Sequence, residues 1–122
     1  MKRTLKIPHQ RVEFDTGEEG TVRATLTTLS DGRARGRLAL AMRGAARRYR
    51  AICGTIHEDD RDQGLRAALQ LEGLATRDGI GELAELRLSD AGEEEPGMVE
   101  VTLRRLPDGD RIASFRAQLA TA

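Results

Sequence analysis

The sequence predicts an all-β protein: an antiparallel meander of eight or nine strands that forms an up-and-down barrel or a barrel-like sandwich. Three observations lead to this fold class. Two stretches of the chain repeat the same hairpin, apolar and polar residues alternate with a period of two through most of the sequence, and the connections are short and rich in Gly, Asp and Pro. The length of 122 residues predicts a single β domain over residues 1–122.

The first segments are expected to be short strands. Residues 3–7 and 11–15 alternate in polarity and are separated at Pro8. Because proline has no backbone N–H group, it suits a strand edge or a bend. Residues 15–20 (DTGEEG) are expected to form a loop.

The first repeated hairpin spans residues 21–42 and is expected to turn at Ser30-Asp31-Gly32. These residue types favour a type I turn followed by a left-handed glycine, which pairs Leu29 with Arg33. A slip by one residue would move every apolar side chain to the other face, so the turn fixes the register. This register places Val22, Ala24, Leu26, Leu38, Leu40 and Met42 on one face and Arg23, Thr25, Thr27, Arg33, Arg35 and Arg37 on the other.

The second copy of the hairpin spans residues 99–119 and repeats several residues of the first at equivalent positions. Its turn, Pro107-Asp108-Gly109, predicts that Leu106 pairs with Asp110. One apolar face results from this pairing, formed by Val99, Val101, Leu103, Ala113, Phe115, Ala117 and Leu119.

Two more segments complete the predicted sheet. Residues 47–57 alternate less regularly, and Gly54 is expected to mark a bulge. Residues 65–76 have helix-favouring composition but strand-like alternation, which predicts a strand. An Asp78-Gly79 hairpin loop would then pair Leu69 with Leu88.

The formal net charge of zero conceals a strong asymmetry along the chain. Residues 33–57 contain seven Arg and no acidic residue, whereas residues 58–100 contain thirteen acidic residues and four Arg. Such a division predicts surfaces of opposite sign that can attract a charged partner or other copies of the chain.

Two candidate surfaces follow from the predicted strands. Guanidinium groups bind phosphate and carboxylate well, so the arginine-rich face predicts a site for an anion or a partner. The later strands provide an acidic counter-surface. The basic residues are Arg23, Arg33, Arg35, Arg37, Arg48 and Arg50, and the acidic residues are Glu72, Glu82, Glu85 and Asp90.

These surfaces predict a non-enzymatic binding or scaffold module that self-associates as a homo-oligomer. One alternative is a calycin-like barrel for a small ligand, with possible cyclase or isomerase activity, although fold alone does not determine function. The other is a nucleic-acid-binding β domain that uses the arginine face. The zero net charge and the single available aromatic on that face, Tyr49, argue against nucleic acid because single-strand binders usually stack bases on aromatic rings.

The sequence suggests no catalytic residues, metal site or cofactor. His9, His57 and Cys53 lack the spacing of metal ligands, and Cys53 is expected to be a buried apolar residue. Residues 58–64 resemble a calcium loop only superficially and are expected to form a solvated turn. The N-terminal segment has no signal-like apolar run and no segment is long enough to span a membrane, so a cytoplasmic location is expected.

Overall fold

The computed structural model is all-β and describes residues 3–42, 44–59, 64–73, 81–89, 98–106 and 108–120. Eight antiparallel strands follow one another in a single sheet whose spatial order is the order of the chain. This confirms the predicted meander. The strands are β1 (Arg3–Glu13), β2 (Glu19–Thr28), β3 (Ala34–Met42), β4 (Ala45–Asp59), β5 (Gly64–Gly73), β6 (Glu82–Ser89), β7 (Met98–Arg105) and β8 (Asp110–Gln118).

The sheet curls into a nearly closed barrel because β1 approaches β8. At one end of this seam, the Asp15 backbone N–H donates to the Ser114 carbonyl at 2.9 Å, and the Ser114 N–H donates to the Asp15 carboxylate at 2.9 Å. Near the other end, the Gln10 side-chain amide donates to the Gln118 carbonyl and accepts from the Gln118 N–H, both at 2.8 Å. Side chains therefore complete much of the closure.

The inward-facing side chains form one hydrophobic core made mainly of Leu, Val and Ala. Phe14 and Phe115 meet edge to face across the seam, with ring centroids 5.2 Å apart. At Gly36 in β3, a Cβ atom would lie 2.0 Å from the Thr25 carbonyl oxygen, so only glycine permits this approach of β3 to β2.

The first repeated hairpin has the predicted register. The Leu29 N–H donates to the Arg33 carbonyl at 2.8 Å, and Gly32 has a φ of 87°. Both faces are confirmed: Val22, Leu38 and the other predicted apolar residues are buried. The second hairpin has the predicted pairing from Val99–Ala117 to Leu103–Ala113.

Two predicted pairings near turns are wrong. Asp110 pairs with Arg105 rather than Leu106, because the register shifts by one residue beyond Leu103. Leu69 pairs with Leu86 rather than Leu88, a shift of two residues that keeps the same side chains in the core. A shift by an even number leaves the alternation intact, so hydrophobic patterning alone could not detect it. The predicted Asp78-Gly79 turn lies outside the described residues.

Bulges account for the remaining differences. β1 is one strand rather than two, because its register with β2 shifts between Ile7 and Gln10 and the strand continues past Pro8. The predicted bulge in β4 lies between Ala51 and Cys53, before Gly54. It places Cys53 beside Gln70 in a half-buried position, so the prediction of a buried cysteine is wrong. In the described ranges, no helix is long and apolar enough to cross a membrane.

Candidate functional site: the basic face of β1 to β4

The arginine-rich face predicted from the sequence lies on the outside of three consecutive strands, β2 to β4, with Arg33 directly before β3. Alternation in β2, β3 and β4 directs the apolar side chains inward and leaves the arginines outside. All six predicted arginines have exposed side chains: Arg23, Arg33, Arg35, Arg37, Arg48 and Arg50.

Three of these arginines surround one small residue. Ala39 in β3 is paired on one side with Arg23 of β2 and on the other with Arg48 of β4. Arg37 lies two residues away on the same side of β3, a separation of about 7 Å along a strand. The side chains of Arg23, Arg37 and Arg48 line a depression of about 520 Å³ that includes Ala39. We call this arrangement the arginine cradle.

β1 forms the rim of the arginine cradle. The β1 bulge places both Pro8 and His9 on the outer face, where they line the same depression. Lys6 of β1 also lines the depression. It pairs with Thr25 of β2, and Thr25 pairs on its other side with Arg37 of β3. The Gln10 amide donates to the Pro8 carbonyl at 3.1 Å and so supports the bulge.

The charges of this face are only partly balanced within the chain. Arg33 contacts Asp31 at 2.6 Å, and Arg50 contacts Glu72 at 3.5 Å. Hydrogen bonds from the Arg33 backbone and side chain lower the pKa of the Asp31 carboxyl group. Among the residues that the structure describes, no carboxylate forms an ion pair with the remaining cations of the face, which are Lys6, Arg23, Arg35, Arg37 and Arg48.

The structure brings only part of the predicted acidic counter-surface together, because Glu72 and Glu85 share the outer face of the adjacent strands β5 and β6. Glu72 is exposed beside Arg50, and Glu85 lies 3.6 Å from Arg104. Glu82 lies on the inward side of β6, the side of buried Ala84 and Leu86, and therefore does not share the outer face with Glu72 and Glu85. Asp90 lies outside the described residues. The described carboxylates of this set thus already have partners in the same chain.

Glu82 belongs to a polar cluster at one end of the barrel interior. Its carboxylate accepts hydrogen bonds from the Arg47 guanidinium and, at 2.9 Å, from the Tyr49 hydroxyl. Burial raises the pKa of the Tyr49 phenol, and the charge and hydrogen bond of Glu82 raise it further. Burial acts to lower the pKa of Arg47, but Glu82 outweighs it and the net shift is upward. These groups stabilise one another inside the barrel.

The sequence did not identify Lys6, His9 and Ala39 as members of the site. Their positions depend on which strands become neighbours and on the β1 bulge. Two features of the sequence could have indicated these positions. Pro8 marked a break in β1, and Ala39 is a small outward residue of a strand whose neighbours carry arginines. Within the described part of the chain, no three His, Cys, Asp or Glu side chains are grouped to hold a metal ion. The possible calcium loop at 58–64 falls largely outside that part.

Comparisons of the chain with known protein families, with curated proteins and with solved structures find no match.

Proposed function

We propose that the protein is a non-enzymatic binding module that holds an anionic ligand on the basic face of β1 to β4. The supporting observation is the group of five outward cations that no described carboxylate neutralises. Guanidinium groups stay charged throughout the physiological pH range and donate hydrogen bonds in a planar fork, which favours binding of oxyanions over proton transfer. The proposal includes the cytoplasmic location expected from the sequence.

The electrostatics of the basic face favour an anion. Neighbouring cations on adjacent strands lie roughly 8 Å apart, where each pair repels by about 0.5 kcal/mol in water. An anion placed among them replaces this repulsion with attraction. Because the interaction takes place at a solvent-exposed surface, it should weaken as salt concentration increases.

Retention on a heparin column tests the proposal. The wild-type protein should bind at low salt and elute only when salt is raised. Combined Arg23→Gln, Arg37→Gln and Arg48→Gln substitutions should abolish retention. The matched control substitutes Arg11, Arg87 and Arg105 with Gln, which removes equal charge from exposed positions outside the depression. Equal losses in the two triple variants, or no retention of the wild-type protein, would refute the proposal.

The structure provides arguments against both alternative ligand types. Tyr49, the one aromatic residue expected to be available for base stacking, is 0% exposed. A nucleic acid would therefore have to bind this face without stacking on a Phe, Tyr or Trp ring. A calycin-like site would need space inside the barrel, where Leu26, Leu71 and Leu103 are among the wholly buried side chains that fill the interior.

Self-association is the second candidate function, and its support is the charge distribution. The chain has no net charge, yet the basic face carries unneutralised cations, so an equal excess of acid must lie elsewhere on the chain. The basic face of one copy could therefore attract the acidic remainder of another.

A further inference from the structure

We infer that the arginine cradle is a site for a single phosphate group carried by a small ligand. This inference rests on the proposed function and extends it by naming the chemical group that is bound. The geometric basis is the position of Ala39, whose two cross-strand partners are Arg23 and Arg48 and whose strand also supplies Arg37. Guanidinium groups thus surround a small side chain on three sides.

The small residue at the centre creates the space for a ligand. Ala39 is half-buried, and Arg23 and Arg48 lie on the strands to either side of it. The resulting depression of about 520 Å³ falls within the usual range of small-molecule sites. A larger residue at position 39 would fill this space without changing any charge.

The number and direction of the donors favour phosphate over carboxylate. A carboxylate has two oxygen atoms and one negative charge, which a single arginine fork can satisfy. A phosphate monoester has three terminal oxygen atoms and about −1.5 to −2 charge at neutral pH. Three guanidinium groups that approach from different sides match this ligand, and Thr25 adds a hydroxyl group to the wall of the depression.

The surroundings of the arginine cradle favour a small phosphorylated ligand over a nucleic-acid strand. All three aromatic residues of the chain, Phe14, Tyr49 and Phe115, are buried in the core. The face therefore provides no Phe, Tyr or Trp ring on which a base could stack. Pro8 and His9 close the β1 side of the depression, so the rest of the ligand would lie against this rim.

Calorimetric titration with inorganic phosphate, compared with acetate at constant ionic strength, tests the inference. Phosphate should bind with one-to-one stoichiometry and acetate far more weakly. Ala39→Met fills the centre of the cradle and should reduce phosphate affinity by about tenfold or more. Arg37→Gln removes charge-assisted hydrogen bonds and should also reduce it by about tenfold or more.

The matched control is Ala41→Met, two residues further along the same side of β3 and outside the depression. It should leave phosphate affinity within about twofold of wild type, since it removes no contact to the ligand. Circular dichroism and thermal unfolding check that both methionine variants fold. Equal affinities of Ala39→Met and Ala41→Met, or equal binding of acetate and phosphate, would overturn the inference.

The heparin experiment separates failure of the inference from failure of the proposed function. If the Ala39→Met variant is retained on heparin like the wild type and phosphate does not bind, the basic face binds polyanions without a phosphate site. If neither heparin nor phosphate binds, both proposals fail. Tight binding of a mixed-sequence oligonucleotide that is insensitive to Ala39→Met would instead assign the face to a nucleic-acid backbone and overturn the phosphate site.

Discussion

At the scale of single residues, Tyr49 shows how the barrel accommodates a charge in its interior. Its ring is wholly buried, and its hydroxyl donates to Glu82, which also accepts from Arg47. A carboxylate on the inward side of a strand requires such partners because burial without them is unfavourable. The three residues therefore form one unit at the end of the core.

Tyr49→Phe is predicted to destabilise the protein by about 2 kcal/mol near neutral pH, because it removes a hydrogen bond to a charged acceptor. It should also change the dependence of stability on pH. Unfolded tyrosine loses its proton at about pH 10, whereas burial and Glu82 keep Tyr49 protonated to higher pH in the folded state. Above about pH 10 the unfolded chain binds fewer protons than the folded chain. The free energy of unfolding of the wild-type protein therefore falls as pH rises. Phenylalanine at position 49 should remove this fall.

Urea unfolding from about pH 8 to pH 11 measures the effect, because this window spans the ionisation of unfolded tyrosine. Tyr49 is the only tyrosine of the chain, so absorbance of tyrosinate reports on this residue alone. The wild-type phenol should ionise together with unfolding. Two results would contradict the burial and hydrogen bonding described for this residue. One is ionisation of Tyr49 near pH 10 in the folded protein. The other is the same dependence of the free energy of unfolding on pH in the wild-type and Tyr49→Phe proteins.

At the scale of elements, the β1–β8 seam depends on the side chain of Gln10. Its amide makes both hydrogen bonds to the backbone of Gln118, in the manner of another strand residue. Gln10→Ala should therefore destabilise the protein by about 1 to 2 kcal/mol, since two hydrogen bonds are lost. It should also accelerate hydrogen exchange of the Gln118 amide.

Gln118→Ala is the matched control for the seam. The Gln118 side chain is exposed, and its backbone makes the bonds to Gln10, so this substitution should leave stability nearly unchanged. Hydrogen exchange followed by NMR distinguishes the two variants. Equal protection of the Gln118 amide in the wild-type and Gln10→Ala proteins would show that the seam does not need the glutamine.

The strand registers show what the sequence can predict. The turn before Arg33 fixed a register that the structure confirms over the whole first hairpin, because its residue types specify both turn type and loop length. The pairing of Leu69 was wrong by two residues because an even shift preserves the hydrophobic pattern. Patterning therefore predicted which side chains are buried more reliably than which residues are partners.

The same reasoning applies to the site. Alternation identified Arg23, Arg37 and Arg48 as outward residues, and the meander brought their strands together. The central position of Ala39 becomes visible only when both of its cross-strand partners are known. The contribution of His9 depends on a bulge whose effect on side-chain direction could not be read from the sequence.

At the scale of the whole molecule, charge is distributed so that intramolecular pairing is incomplete. Glu72, Glu82 and Glu85 are engaged with arginines outside the arginine cradle. The surface pairs of Glu72 and Glu85 contribute little to stability, but they reduce the free acidic surface. In the sequence, segments 58–62 and 90–95, which include Asp90, concentrate negative charge that could balance the basic face.

This distribution predicts weak, salt-sensitive self-association. A basic face that contacts a different, acidic part of a second copy makes a head-to-tail contact, which extends or closes into a ring depending on its geometry. The mass measured by light scattering should rise with protein concentration at about 20 mM salt and return to that of the monomer at about 500 mM, where charges are screened within a few ångströms.

The triple arginine variant should remain monomeric at both salt concentrations, and the triple control at Arg11, Arg87 and Arg105 should associate like the wild type. If the wild-type protein is a monomer at both salt concentrations, the self-association hypothesis is refuted. Binding of an external anion would then be the remaining proposal for the basic face. Association that persists at high salt would instead require an apolar contact, and the described exposed apolar residues, Ile52 and Leu106, would become the next positions to substitute. The salt dependence therefore decides whether charge or apolar area holds two copies together.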